Sequence, residues 1–281
     1  DPLATPPDVP VQVPLALRSA STQEAPSIGL ALSGRSKGRK EVLLNAYGGN
    51  AVTESAVRMA LEWLHRNQRR DGSWSMMGPY QNGLPNENRL AATAMALLAF
   101  QGAGYTVESG KYEKLVTRGW EYLSLLQDAD GNFFQSGISS HRLYSQAQAM
   151  IAICELYGMT KDERFRKPAQ LAVDYALKIQ APEGGWRYIP GQGTDTSVTG
   201  WFVMGLQSAL MAGLEVPSPA LARIGEYLDM VTTDGGSNYS YRVNNGAMIS
   251  MTAEALLCRQ YLGWRREDPR LVRGVDEILR H

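Results

Sequence analysis

The sequence predicts an all-helical fold of repeated antiparallel hairpins, and three of its features carry this prediction. Helix-length segments alternate between amphipathic stretches and stretches that are apolar on nearly every face. An acidic residue and a glycine follow each of the first four amphipathic segments. These glycines recur about 50 to 60 residues apart, a period typical of repeat architectures. The turn glycines are Gly72, Gly131, Gly184 and Gly235.

The order of the segments predicts two nested layers of helices. The first amphipathic helix starts at Thr53 or Glu54. A helix without a polar face must be buried on all sides, so the apolar helices form an inner layer and the amphipathic ones face water. Nine helices, or about four and a half hairpins, then curve into a ring or horseshoe. An open ring and a ring of which this sequence is only a part stay open as alternatives. After the first helix, the segments run from Arg89 to Gln101, Tyr112 to Gln127, Leu143 to Tyr157, Phe165 to Gln180, Ser197 to Met211, Pro219 to Val231, Ile249 to Leu262 and Asp268 to Arg280.

Composition excludes several classes of function. The 281 residues carry 28 basic and 28 acidic side chains, and this balance argues against a nucleic-acid partner. No apolar run approaches the roughly 20 residues that span a bilayer. Cys154 and Cys258 lie in apolar helical stretches and are expected in the core, and the three histidines share no ligand spacing. We therefore expect no metal and no cofactor.

The first 52 residues differ from the rest of the chain. They are rich in proline, which breaks helices, and are predicted to form a linker or extended arm before the repeat domain of residues 53–281. The basic cluster of Arg35, Lys37, Arg39 and Lys40 is expected in a solvated turn, with contact to an anionic surface as the alternative. The chain begins with Asp1, and an export signal or membrane anchor upstream is a further expectation.

Each predicted turn also contains a glutamine and an aromatic residue. The glutamines, at the end of the outer helix, are expected to hydrogen-bond backbone groups of an adjacent turn and so connect successive hairpins. The aromatic residues are expected to fold back as apolar plugs. The glutamines are Gln68, Gln127 and Gln180, and the aromatic residues are Trp74, Phe133 and Trp186.

These residues carry a resemblance to a known family. Gln68, Asp71, Gly72 and Trp74 form a Q-x-x-D-G-x-W motif that resembles the QW repeat of squalene-hopene and oxidosqualene cyclases. The second copy has phenylalanine for tryptophan, the third has glutamate for aspartate, and the fourth turn lacks the glutamine. The chain is thus similar to the squalene cyclase and prenyltransferase repeat family. The resemblance implies an α/α toroid with a central cavity over residues 53–281.

The family's catalytic groups find no full counterpart here. Class II terpene cyclases use an acidic D-x-D-D stretch, and the comparable stretch in this chain holds only Asp195. A strong proton donor requires coupled carboxyl groups. The Asp-Cys-His zinc set of protein prenyltransferases and the Cys-Gly-Glu-Gln segment of thioester domains are also absent from the sequence. Whether the chain is an enzyme stays open at this stage.

Candidate binding residues lie where the inner helices begin, at the mouth of the expected cavity. Helix N-termini offer free N–H groups and a positive dipole end. Asp195 and Glu87 are the weak catalytic candidates, although capping alone accounts for Asp195. The ligand-binding candidates are Asn88, Arg89, His141, Arg142, Tyr144, Arg187, Asp195, Trp201 and Asn245.

Three hypotheses of function follow. The first is a toroid without cyclase chemistry that binds a ligand in a central cleft: an unknown small molecule, a lipid-like or glycan ligand, or a protein partner. The second is a terpenoid cyclase or prenyltransferase with divergent catalytic groups. The third is a glycan-processing toroid, which needs two carboxylates across the cleft; Glu87 and Asp195 are the available pair.

Overall fold

The computed structural model describes Leu32, Arg35, residues 48–108 and residues 110–281. The proline-rich start and the basic residues Lys37, Arg39 and Lys40 lie outside the described residues. The described part of the chain is mainly helical, as predicted, and the only paired strands found there are two residues long. The helices are α1 (Ala51–Asn67), α2 (Arg89–Gly102), α3 (Glu113–Leu126), α4 (Arg142–Thr160), α5 (Glu163–Lys178), α6 (Thr196–Ala212), α7 (Ser218–Val231), α8 (Ile249–Tyr261) and α9 (Pro269–Ile278).

The helices form the two layers that the sequence predicts. The even-numbered helices α2, α4, α6 and α8 pack side by side in chain order, and odd-numbered helices cover them from outside. Each of α4 and α6 buries twelve or more residues, whereas the amphipathic helices α1, α3, α5, α7 and α9 bury one to five. The inner layer and the inward faces of the outer helices therefore share one hydrophobic core.

The glutamines at the ends of the outer helices join each hairpin to the next. Each glutamine Nε2 donates to a backbone carbonyl near the start of the following outer helix: Gln68 to Leu115 at 2.8 Å, Gln127 to Pro168 at 2.8 Å and Gln180 to Ala220 at 3.2 Å. The prediction that these glutamines bond to an adjacent turn is therefore wrong as to the acceptor, although they do connect successive hairpins. Since the outer helix of the next hairpin supplies the acceptor, the connection runs between successive repeats.

The aromatic residues of the turns are buried plugs, as predicted. Trp74, Phe133 and Trp186 are 3%, 1% and 1% exposed. The indole N–H of Trp74 donates to the carbonyl of Leu64, and that of Trp186 to the carbonyl of Ala176. The plugs thus bury a large apolar surface without leaving their polar atoms unpaired.

The turn glycines permit close contact between repeats. Gly72, Gly131 and Gly184 all have positive φ, and a Cβ at each would lie 2.0 to 2.2 Å from a carbonyl oxygen of the next outer helix. No side chain fits at that distance. Glycine is therefore required for two reasons: the turn has a positive φ, and the neighbouring helix leaves no room for a side chain.

The fourth turn reaches the same arrangement by a different route. It is longer, with strand β1 (Thr232–Thr233) paired antiparallel to β2 (Asn238–Tyr239) around a short 3-10 segment. Tyr239 is fully buried and takes the place of the plug. Here the glycine lies on the outer helix: a Cβ at Gly274 of α9 would be 2.4 Å from the Ser237 carbonyl oxygen.

Candidate ligand-binding site

A repeated hydrogen bond sets the register of the four inner helices. The backbone N–H of each plug donates to a side chain near the start of the inner helix that follows. The acceptors are Thr93 Oγ1, Gln146 Oε1, Thr199 Oγ1 and Thr252 Oγ1, at 3.0, 2.7, 3.1 and 3.0 Å. The residues two positions further along are therefore equivalent. They are Met95, Gln148, Trp201 and Glu254, which we call the central layer.

The central layer faces the concave side of the inner helices. Met95, Gln148 and Trp201 are partly exposed, while the residues immediately before and after each of them are buried. Outer helices and neighbouring inner helices cover the other faces, so this exposed stripe points to the inside of the toroid. About one turn further along each helix the equivalent residues are all apolar. They are Leu98, Ile151, Met204 and Leu257.

Asp195 lies at the start of α6 with both carboxylate oxygens engaged. Its side chain is fully buried. Oδ1 accepts from the backbone N–H of Val198 at 2.7 Å, and Oδ2 accepts from the Tyr241 hydroxyl at 3.0 Å. Arg187 Nε lies 3.4 Å from Oδ2 and forms an ion pair with it. Burial raises the pKa of Asp195, while the Val198 N–H, the Tyr241 hydroxyl and Arg187 act in the opposite direction.

Three tyrosines surround this carboxylate at the mouth of the toroid. The hydroxyls of Tyr188 and Tyr241 are 2.6 Å apart, and the Tyr144 hydroxyl donates to Ser197 Oγ at 3.0 Å. The rings of Tyr144 and Tyr188 are 6.3 Å apart, and the guanidinium of Arg187 lies over the Tyr188 ring. Aromatic faces and hydroxyls therefore line the entrance, whereas the single fully buried charge there is already paired.

Glu254 is the acidic member of the central layer. It lies on α8 against the backbone of α6, where a Cβ at Gly200 would be 2.1 Å from Glu254 Oε1. Within the described residues its carboxyl group has neither a hydrogen bond nor an ion pair. Burial, and secondarily the negative charge of Asp195, raise the pKa of Glu254 to about 8. Near neutral pH this carboxyl group therefore retains its proton.

The opposite end of the inner layer contains a paired acid. Glu155 on α4 is 7% exposed and forms an ion pair with Arg35. Leu32 is also buried, and a Cβ at Gly158 would lie 2.3 Å from Leu32 Cδ1. The expectation of a solvated turn is wrong for Arg35, because a buried carboxylate within the same chain stabilises its charge.

Two curated proteins are similar in sequence to this chain, and both are named as squalene–hopene cyclases. The probable squalene–hopene cyclase of Sinorhizobium fredii is 26% identical over 217 residues, which is 68% of this chain and 31% of that protein. The squalene–hopene cyclase of Bradyrhizobium diazoefficiens is 25% identical over 209 residues, 65% of this chain and 30% of its own length. No family model matches the sequence. The chain is squalene cyclase-like.

Two solved structures share the overall fold of this chain. A protein from Actinoplanes superposes with a TM-score of 0.54 at 17% identity, covering 90% of this chain and 70% of that one. A type II terpene cyclase from Scytonema, solved with its product merosterolic acid A, gives 0.53 at 15% identity, covering 90% and 67%. The predicted α/α toroid is thereby confirmed. The chain spans about a third of the length of the curated relatives it matches.

Several predicted binding residues line a separate cavity instead of the concave face. This cavity, of about 290 Å³, lies between the first two hairpins, with Tyr122 and Phe134 on its apolar side. Glu87 accepts hydrogen bonds there from Ser75 Oγ and two backbone N–H groups, and these bonds lower its pKa. The predicted residues on its wall are Glu87, Asn88, Arg89 and His141. Glu87 and Asp195, the pair expected for glycan chemistry, therefore belong to different sites.

The remaining predicted residues divide in the same way. Tyr144, Arg187, Asp195 and Trp201 come together at the mouth and in the central layer. Arg142 points outward and donates to the Tyr175 hydroxyl of α5 at 3.3 Å.

Asn245 is exposed in the turn before α8 and lies in neither group. Sequence reasoning missed Glu254. The available signal was its spacing, since it lies 53 residues after Trp201, as Trp201 lies 53 residues after Gln148.

Two further properties concern only the described part of the chain. No helix there is both long enough and apolar enough to cross a membrane. Likewise, residues 48–108 and 110–281 contain no group of three or more His, Cys, Asp and Glu side chains with the geometry of a metal site.

Proposed function

We propose that this squalene cyclase-like chain binds an isoprenoid or similarly apolar small molecule on its concave face and does not itself carry out cyclisation. The observation that carries the proposal is the composition of the concave stripe, by which we mean the central layer together with the four equivalent residues one turn further along the inner helices. Six of its eight equivalent positions are apolar; Met95, Trp201, Leu98, Met204 and Leu257 are at least partly exposed, and Ile151 is buried. A concave apolar surface with few polar groups is typical of small-molecule sites. The names of the curated relatives, which act on squalene, support the same ligand class.

The state of Asp195 supports a role without cyclase chemistry. A group that protonates an alkene must present its acidic proton to the ligand. Both oxygens of Asp195 are instead occupied by Val198, Tyr241 and Arg187, and its side chain is closed to solvent. This arrangement is that of a helix cap that also holds the mouth together.

A second candidate function is acid-catalysed chemistry on a terpenoid, and Glu254 is the observation that favours it. Its carboxyl group keeps a proton near neutral pH and has no partner among the described residues. A neutral carboxyl group is, however, a weak acid toward an alkene. We therefore rank this function below simple binding.

Titration with an isoprenoid alcohol tests the binding function. We expect farnesol to change the tryptophan fluorescence of the protein saturably, and Trp201→Phe to remove most of that change. Trp63→Phe is the matched control, because Trp63 is exposed on the outer helix α1 and its replacement should leave the response intact. No saturable response in the wild-type protein, or an unchanged response in Trp201→Phe, would contradict the proposal.

Product analysis separates the two candidates. After incubation with squalene or farnesol, we expect mass spectrometry to recover the starting compound unchanged. A cyclised product that forms with the wild-type protein and disappears in Glu254→Gln would overturn the non-catalytic reading and establish the second candidate.

A further inference from the structure

Two side chains of the central layer have polar atoms without a hydrogen-bond partner. Gln148 Oε1 is buried without a donor, and the half-buried Glu254 has no hydrogen bond or ion pair within the described residues. A buried polar atom without a partner is costly, so such atoms indicate a missing ligand group. Trp201 lies between these two residues in the register of the inner helices and adds an aromatic face.

The ligand group that suits this set is a positively charged nitrogen. An ammonium group donates hydrogen bonds and accepts none, so it suits acceptors that have no donor. It is also attracted to the face of an indole ring and to a carboxylate. A hydroxyl group carries a single donor and no charge, and an anion would bring further acceptors instead of donors.

We propose that Glu254 and Trp201 bind the ammonium group of an isoprenoid-type amine, whose apolar body lies along the concave stripe. The inference rests on the proposed binding function and specifies its ligand. The nitrogen would lie beside Gly200, where the absence of a side chain lets Glu254 approach α6. Met204 and Leu257, one turn further along α6 and α8, would contact the hydrocarbon chain.

Binding of a cation should release a proton. Glu254 holds its proton near neutral pH in the free protein and must lose it to form the ion pair. The groups around it do not compete for this proton. The pKa values of Tyr144 and Cys258 are raised, so both stay neutral, and Asp195 is paired with Arg187.

Two ligands of the same shape test the inference. Farnesylamine and farnesol differ only in the head group, and both are measured below their aggregation concentrations by calorimetry. At about pH 9 we expect the wild-type protein to bind the amine about tenfold tighter than the alcohol, since a desolvated cation gains from both the carboxylate and the indole. At about pH 6.5 this preference should shrink, because the proton on Glu254 opposes the amine.

Glu254→Gln is the decisive variant, since it keeps the shape of the side chain and removes its charge. We expect it to lose the pH dependence and most of the preference for the amine, since only the indole of Trp201 then favours the cation. Glu226→Gln, an exposed glutamate on the outer helix α7, is the matched control and should retain the preference for the amine. Measurements on the wild-type protein near pH 7, in buffers of different ionisation enthalpy, should show release of about one proton per amine bound. This readout needs no variant to fold.

The outcomes distinguish the inference from the function on which it rests. Equal affinity of the wild-type protein for amine and alcohol would overturn the inference and leave the binding function intact. A pH dependence or an undiminished preference that persists in Glu254→Gln would assign the charge to another group and also overturn it. Failure of both ligands to bind would overturn the inference and the binding function together.

Discussion

Replacement of one turn glycine should test the contact between repeats. Gly184 has φ of +97°, and a Cβ placed on it would lie 2.0 Å from the carbonyl oxygen of Arg223 in α7. An alanine at positive φ costs about 1–2 kcal/mol. Relief of the overlap requires α7 to move and should cost about 1–3 kcal/mol more, as overpacking does. We expect Gly184→Ala to lower the free energy of unfolding by about 2–5 kcal/mol.

Gly235→Ala is the matched control for this prediction. Gly235 also has positive φ, of +65°, but a Cβ there would meet nothing within 4 Å. Its replacement should therefore cost only the conformational term of about 1–2 kcal/mol. Urea denaturation followed by circular dichroism measures both values. Equal losses in the two variants would show that contact with the next helix contributes nothing and would refute the reasoning.

Three further changes probe the plug, the unpaired acid and the cap. Trp74→Ala should reduce the free energy of unfolding by about 3–5 kcal/mol, as truncation of a buried aromatic does, and urea denaturation will measure it; a loss below about 1 kcal/mol would exclude the plug role. Glu254 has a folded-state pKa raised from its ordinary value of 4.5 to about 8, so its stabilising contribution is complete below about pH 4.5 and disappears as the pH rises through 8. The pKa shift corresponds to about 5 kcal/mol, and partial solvation of the side chain should reduce this to about 2 kcal/mol. Between about pH 5 and pH 8.5, the free energy of unfolding of Glu254→Gln should therefore rise relative to that of the wild-type protein by about 2 kcal/mol, as a series of melting curves will show. Asp195→Asn should cost about 1–3 kcal/mol in the same assay, since it weakens a buried ion pair and a cap but keeps an acceptor oxygen, and no loss at all would contradict the role of Asp195 at the mouth.

The fold could be predicted from the sequence because its determinants are local. Alternation of amphipathic and apolar segments identifies the layers, and the glutamine, glycine and aromatic residue mark each turn. The helix starts were less accurate. α1 begins at Ala51 instead of Thr53, since Asn50 and Thr53 form a reciprocal cap.

The site was predicted only in part because its chemistry depends on contacts between repeats. Asp195 is recognisable as a helix cap from its sequence position alone. For Glu254 the sequence offers only its 53-residue spacing from Trp201, because a lone glutamate on an apolar helix can point to water or to the lumen. Only the packing of α8 on Gly200 shows that its half-buried carboxyl group lies against α6 without a partner among the described residues. Conversely, Glu87 and Asn88 occupy a position in α2 similar to that of Asp195 in α6, yet they line a different cavity.

The direction of the glutamine bonds has a consequence for how such a chain can lengthen. Because Gln68, Gln127 and Gln180 each reach forward to the next outer helix, the natural unit of duplication is not a helical hairpin. A copied hairpin that ended at its own turn would leave a glutamine donor without its carbonyl. A copied segment that extended from one outer helix to the equivalent point of the next would carry donor and acceptor in phase, and it would join its neighbours without any change of sequence at the seams.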